Sequence, residues 1–204
     1  LKNPDQKEAL RRRLRAMERD GQLMFNKYKG YQLIDQNSLI TGVVSIHPDG
    51  FGFVSNPDSE KDLFLPKNQM SHVFDGDVVQ VFVEPSSDRN RTFNKLINIV
   101  ERKTTHIVGQ LKRSGDAFYL LPDSRKVLHK VDVDSHFLLN AKPGQYVNTT
   151  IVEYPNHRKN TLVKVTGVLG NPQDTGMGIK KALCRHNISG QWNDALIDQA
   201  EAKG

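Results

Sequence analysis

The stretch DGFGFVSN, residues 49–56, places two phenylalanines one residue apart, each preceded by a glycine. Side chains alternate between the two faces of a β-strand, so Phe51 and Phe53 are predicted to share one face, and Gly50 and Gly52 the other. The glycines let such a strand curl tightly, as a small barrel requires. The two rings therefore lie either in a barrel core or together on its outer face.

Short strand-like runs surround this stretch and predict a small closed barrel over residues 40–102. Turn residues in HPDG (47–50) and NPDSEKD (56–62) separate the first of them. The five runs are TGVVSI (41–46), FGFVSN (51–56), DLFLP (62–66), DVVQVFVE (77–84) and TFNKLINIVE (92–101).

The plan then repeats, which predicts a second, degenerate copy of the barrel over residues 104–170. Four residue pairs lie 67 positions apart, and VFVEP (81–85) has its counterpart in TIVEYP (150–155). The pairs are Gly42 with Gly109, Asp49 with Asp116, Phe51 with Phe118, and Val54 with Leu121. Gly76 and Gly144 form a further pair at an offset of 68.

The two ends of the chain have a different pattern. Asn3 as N-cap, Pro4 at the first helical position and Gly21 as the stop predict a helix. QLMFNKYKGYQLI (22–34) predicts a basic hairpin, and a helix followed by such a hairpin is typical of a winged helix-turn-helix. Residues 1–36 are thus predicted to be a truncated domain of that class. Residues 171–204, with a helical run over 192–203, are predicted to be a linker into a catalytic domain outside this chain.

Composition limits the possible function classes. The 204 residues are 37% hydrophobic, and no run approaches the roughly 18 apolar residues that a spanning helix needs. The single cysteine, Cys184, excludes an intrachain disulfide and fits a reducing compartment, so a cytoplasmic location is expected. A formal net charge of +6 favours a polyanionic partner, nucleic acid before a membrane surface.

The candidate binding site combines aromatic rings with nearby cations. Phe64 of DLFLP is predicted to stand beside Phe51 and Phe53, and three rings on one sheet face form a platform on which unpaired bases stack. The alternative is that these rings are core, since phenylalanine is often buried. The loop cations expected to follow the phosphates are Lys61, Lys67, Arg89 and Arg91.

Basic residues of the first helix and its hairpin form a second candidate site. Arg11 and Arg15 share one face of the helix and Arg12 lies on another, while Lys27 and Lys29 flank the hairpin turn. Such a cluster binds phosphates in a salt-dependent manner, or is simply a solvated basic face.

The sequence resembles a known family at several of these points. DGFGFV (49–54) and DLFLP (62–66) resemble the aromatic strands of cold-shock domains, five-stranded OB barrels that bind single-stranded RNA or DNA. With ALRRRLRAMERDGQL (9–23), DGD (75–77) and DTGMG (174–178), nearly the whole chain resembles the N-terminal part of bacterial ribonuclease R, of the ribonuclease II family. The resemblance implies a mainly β fold with two tandem OB barrels after a partial winged helix.

That resemblance also implies site residues. Phe51, Phe53 and Phe64 take the base-stacking positions of the first barrel. In the second barrel only Phe118 remains at such a position, with Tyr119 on the opposite face and Leu120 replacing the second phenylalanine. The second barrel is accordingly expected to be mainly architectural, or a guide for the RNA backbone.

The implied activity belongs to a parent protein. The family resembles Mg²⁺-dependent 3′→5′ exoribonucleases, so this chain is expected to capture single-stranded or structured RNA, help unwind it and feed it to a catalytic domain. Single-stranded DNA is a further candidate partner. Neither catalytic residues nor a metal site is expected here, because Asp132 and Asp134 have no third acidic neighbour in sequence. The alternatives are a stand-alone cold-shock chaperone of nucleic acids and a winged-helix transcription regulator.

Overall fold

The structure is a computed structural model. It describes residues 3–19, 21–26, 30–84, 93–156 and 158–185. The chain divides into two compact units, Leu1–Lys103 and Thr104–Gly204. No helix within those described ranges is long and apolar enough to cross a membrane.

The first unit begins with the predicted helix and hairpin. Helix α1 spans Pro4–Arg19, and its N-terminus is capped because the Asp5 amide donates to Asn3 Oδ1 at 2.9 Å. The helix ends before Gly21, which has a left-handed φ of 69°. Strands β1 (Leu23–Asn26) and β2 (Gly30–Leu33) then pair antiparallel, so both elements are confirmed.

Five antiparallel strands form the sheet of the first unit in the order β5-β4-β3-β6-β7. Alternating residues point inward, because β3, β4 and β5 each alternate buried and exposed side chains. The strands are β3 (Leu39–Ile46), β4 (Gly52–Val54), β5 (Leu63–Leu65), β6 (Val78–Glu84) and β7 (Phe93–Glu101).

Side chains rather than a strand ladder connect the two edges of this sheet. Asn94 of β7 donates through Nδ2 to the Phe64 carbonyl of β5 at 3.0 Å. Gln69 donates to the Asn94 carbonyl at 2.9 Å and accepts from the Leu96 amide at 2.6 Å. The curled sheet is thus closed between β5 and β7 by two amide side chains.

The hairpin packs against the outer side of the first sheet. Glu18 of α1 accepts a hydrogen bond from Lys95 Nζ of β7 at 3.0 Å. A small apolar cluster joins hairpin and sheet, and its members are Met24, Ile34, Phe82, Leu39 and Ile97. Helix, hairpin and barrel therefore form one unit, and the winged-helix interpretation of residues 1–36 stays a prediction.

The second unit repeats the five-stranded plan as a closed barrel in the order β10-β12-β11-β8-β9. Parallel pairing of β10 with β12 closes this barrel by backbone hydrogen bonds, whereas amide side chains close the sheet of the first unit. The strands are β8 (His106–Ser114), β9 (Ala117–Pro122), β10 (Val131–Val133), β11 (Tyr146–Glu153) and β12 (Thr161–Gly170). The predicted mainly β fold with two tandem barrels is confirmed.

Matching backbone contacts show the duplication directly. The Gly76 amide donates to the Val44 carbonyl at 2.8 Å, and the Gly144 amide donates to the Leu111 carbonyl at 2.7 Å. Both glycines have left-handed φ angles, 87° and 99°. Val44 and Leu111, 67 residues apart, and Gly76 and Gly144, 68 residues apart, are therefore equivalent positions in the two barrels.

Helix α2 (Met177–Arg185) packs on β8 and β12 of the second barrel. Lys181 Nζ donates to Asp123 Oδ1 at 2.8 Å and lies 4.5 Å from the Tyr146 ring centroid, and Arg185 also donates to Asp123. The region predicted as a linker over 171–204 thus begins with a helix attached to the barrel. The helical run predicted over 192–203 lies outside the described residues.

Candidate nucleic-acid interface

Three phenylalanine rings form one exposed cluster on the first barrel, here called the aromatic platform (Phe51, Phe53 and Phe64). Phe53 and Phe64 are Cα partners across the β4–β5 ladder. Their ring centroids lie 5.8 Å apart, and Phe51 lies 5.7 Å from Phe53 and 5.8 Å from Phe64. Phe53 is 38% exposed and Phe64 48% exposed. The predicted outward face is therefore confirmed for Phe53 and Phe64, while Phe51 is half-buried beside them.

The backbone around Phe51 explains why glycine occurs on both sides of it. Gly50 closes the turn with a left-handed φ of 99°, and the Lys67 stem lies 3.0 Å from where a Cβ would be. A Cβ on Gly52 would lie 2.7 Å from Met70 Cε, and Met70 is fully buried. Strand curvature was the predicted reason, whereas the structure shows a turn conformation and space for a core methionine.

A fourth ring, His47, extends the platform and was missed from the sequence. Its imidazole stacks on Phe51 with centroids 4.4 Å apart and planes 8° from parallel. The His47 amide also donates to the Phe51 carbonyl at 2.8 Å, so the two residues face each other across the turn. Strand alternation was the available signal, since Ser45 pairs with Phe53 and the next outward residue is His47.

The predicted loop cations differ in how the structure places them. Lys67 is exposed and packs its stem against Gly50, the residue that precedes Phe51. Lys61 is exposed in the turn that precedes β5. Arg89 and Arg91 lie outside the described residues.

The arginines of α1 are exposed, and two of them are partly neutralised. Arg12 Nε lies 3.3 Å from Glu8, and an Arg11 guanidinium nitrogen lies 3.9 Å from it. Arg15 is exposed further along the helix. The hairpin residues Lys27 and Lys29 lie outside the described residues, so phosphate binding by this cluster stays a prediction.

The second barrel repeats the first with a turn that is one residue shorter. Val44 pairs with Val54 in the first barrel, and Leu111 pairs with Leu120 in the second. Because Val54 and Leu120 are both buried, they occupy equivalent inward positions 66 residues apart. The shorter β8–β9 turn therefore shifts β9 by one residue relative to the offset of 67.

This shift reverses the faces that the sequence predicted for β9. Tyr119 takes the outward position of Phe53 and is 40% exposed. Phe118 shares a face with buried Leu120, and the Arg113 guanidinium lies 5.7 Å from its ring centroid. The predicted stacking position of Phe118 is therefore wrong, because a slip of one residue moves every side chain to the other face.

The described residues do not fit the Mg²⁺ site that the resemblance implies for a parent enzyme. Among these residues, no three His, Cys, Asp or Glu side chains lie close enough together to hold a metal ion. Asp132 is exposed and accepts a hydrogen bond from Asn160 at 2.9 Å, while Asp134 pairs with His136 at 3.0 Å. No catalytic step through a metal is therefore assigned to this part of the chain.

Family comparisons match each barrel separately. Residues 42–99 match the family described as the Ribonuclease B OB domain, and residues 119–193 match the Cold shock domain. The second match continues through α2, which agrees with the packing of that helix on the second barrel.

Similar proteins are named ribonuclease R. The chain is 36% identical over 195 residues to the protein of Acidithiobacillus ferrooxidans, covering 95% of this chain and 44% of that one. It is 33% identical over 201 residues to that of Escherichia coli K12, covering 98% of this chain and 24% of that one. The chain thus spans less than half the length of these relatives.

Two solved structures share the fold. Mycoplasma genitalium RNase R in complex with ribose-methylated single-stranded RNA matches with a TM-score of 0.65 and 19% identity, over 80% of this chain and 26% of that one. Yeast Ssd1, described as a pseudonuclease, matches with a TM-score of 0.61 and 13% identity, over 76% and 26% of the respective chains.

Proposed function

We propose that this chain, which belongs to the ribonuclease R family by similarity over nearly its whole length, binds single-stranded RNA on the aromatic platform of its first barrel. The bound strand would then be fed to a 3′→5′ exoribonuclease domain that other parts of such a protein provide. The single observation that supports this most strongly is the cluster of three rings on the first barrel, two of which, Phe53 and Phe64, are exposed.

The platform suits single strands because unpaired bases offer their faces for stacking. Each base that stacks on an aromatic side chain contributes roughly 1–3 kcal/mol, with little dependence on which base it is. The exposed side chain of Lys67, whose stem packs against Gly50 next to Phe51, adds an attraction for the phosphates. A solved protein of the same fold is in complex with single-stranded RNA, which supports the choice of ligand.

Help with structured RNA is the second part of the proposal. The exposed arginines of α1 lie in the same unit as the platform and offer a sequence-independent attraction for phosphates. Single strands released by fraying of a duplex would then be held on the rings, which opposes re-pairing.

Competition binding tests this proposal. A labelled 12-nucleotide single-stranded RNA is bound to the chain and displaced with unlabelled single-stranded RNA or duplex DNA while fluorescence anisotropy is followed. We expect the RNA to displace the label at a concentration at least about tenfold lower than the duplex, since paired bases cannot stack on the rings. Equal competition by duplex DNA would contradict the proposal and favour a winged-helix regulator.

A further inference from the structure

The outward face of the second barrel presents a row of side chains that differs from the aromatic platform in a defined way. In the first barrel, Phe53 has Ser45 and Phe64 as its Cα partners on the neighbouring strands. In the second barrel, Tyr119 has Lys112 on β8 and Asp132 on β10 as its Cα partners.

The row therefore contains one ring between a cation and a carboxylate. Side chains of directly opposed residues in a sheet lie about 4.5–5.5 Å apart at Cβ, so a base on the Tyr119 ring reaches both neighbours. Asn160 Nδ2 donates to Asp132 Oδ2 at 2.9 Å, which restrains one oxygen of the carboxylate and leaves the other without this hydrogen bond. Both Tyr119 and Asp132 are exposed, so a ligand has access to them.

A carboxylate at this place distinguishes bases that a bare ring treats alike. It accepts hydrogen bonds only, so it pairs with an exocyclic amino group such as N4 of cytosine. Uracil has a carbonyl oxygen at the equivalent position, and its lone pairs would face the carboxylate. Lys112, on the strand on the other side of Tyr119, carries a positive charge that attracts a backbone phosphate.

We infer that Tyr119, Asp132 and Lys112 form a second nucleotide-binding site, on which one base stacks and its exocyclic amino group is recognised by Asp132. The site prefers cytidine to uridine, in contrast to the base-tolerant platform of the first barrel. This inference rests on the proposed RNA-binding function, and it makes the second barrel a base reader rather than only a scaffold.

Residue-resolved NMR titration with tetranucleotides tests the site in the intact chain. Amide shifts of the isotopically labelled chain are followed as C4 or U4 RNA is added, so that each barrel reports separately. We expect the amides around Tyr119 and Asp132 to shift and to saturate with C4 at about fivefold lower concentration than with U4, the low end for one base contact. Amides of the first barrel should respond to both oligomers alike.

Two substitutions with a matched control identify the residues. Tyr119→Ala should abolish the response of the second barrel to both oligomers, and Asp132→Ala should make C4 and U4 equal there. Asp116→Ala removes one fully exposed carboxylate from the neighbouring β8–β9 turn and should leave the C4 preference unchanged.

The possible failures are distinguishable. If C4 shifts only first-barrel amides, or if Asp132→Ala keeps the preference, this inference is overturned while the proposed function stands. If C4 and U4 shift no amide in either barrel, the proposed function itself fails.

Discussion

At the scale of single residues, His47 determines how the platform is presented. Its imidazole covers one face of Phe51 in a nearly parallel stack and so fixes the ring at the turn. His47→Ala should weaken binding of single-stranded RNA about two- to tenfold, the equivalent of one aromatic pair. Anisotropy titration measures this loss, and a thermal melt verifies the fold.

A second exposed histidine provides the control for that substitution. His136 also lies beside an aspartate, at 3.0 Å from Asp134, but it belongs to the second unit and stacks on no ring of the platform. His136→Ala should leave RNA affinity unchanged. An equal loss in both variants would mean that removal of an imidazole at either position, not loss of the stack on Phe51, caused the effect.

The sequence alone was sufficient to predict which residues form the aromatic platform, because strand alternation fixes which side chains share a face. That rule places Phe51 and Phe53 on one face, and the neighbouring strand β5 adds Phe64 beside them. The faces of β9 could not be predicted, since a constant offset hides the loss of one turn residue between β8 and β9. Tyr119 therefore appeared to be inward, although it lies where Phe53 lies in the first barrel.

At the scale of elements, the attachment of α2 to the second barrel depends on one carboxylate. Burial raises the pKa of Asp123, but hydrogen bonds from Lys181 and Arg185 and their charges outweigh it, so that the pKa is lowered from its ordinary value of 3.8. A carboxyl whose pKa is lowered by folding stabilises the folded state above that ordinary value. The stabilisation is lost as the pH falls below 3.8 and then through the lower pKa of the folded state.

Asp123→Asn should therefore destabilise the chain at neutral pH by roughly 1 kcal/mol, because both cations lose their charged partner at a partly exposed site. Urea unfolding at pH 7 and at pH 3 measures the difference from the wild type, which should shrink at the lower pH. Asp116→Asn, at an exposed ion pair with Arg113, is the control and should have little effect. A difference for Asp123→Asn that is equally large at pH 3 would show that shape, not charge, holds the helix.

The elements that sequence reasoning missed depend on distant contacts. Strand-like runs predicted the five strands of the first barrel and the hairpin β1–β2 because each pattern is local, and the repeat extended the prediction to the second barrel. Closure of the first sheet through Asn94 and Gln69 joins residues 25 positions apart, which no local pattern reveals. Helix α2 was also missed, since its attachment requires Asp123, 58 residues away from Lys181.

At the scale of the whole molecule, one duplicated fold presents two different surfaces. The first barrel exposes clustered rings, and the second exposes one ring whose cross-strand partner is a carboxylate. The formal net charge of +6 favours polyanions in general and does not specify where on the molecule they bind. The central claim is therefore that the aromatic platform, and not general basicity, captures the strand.

The most direct measurement of that claim is the affinity of the intact chain for a 12-nucleotide single-stranded RNA when Phe53→Ala and Phe64→Ala are combined. We predict a loss of at least about tenfold with the fold retained, because the exposed parts of the rings stack on bases. Phe137→Ala with Leu139→Ala, a somewhat more exposed apolar pair in the second unit, should bind like the wild type. Unchanged affinity of the platform variant, or its unfolding, would contradict the account.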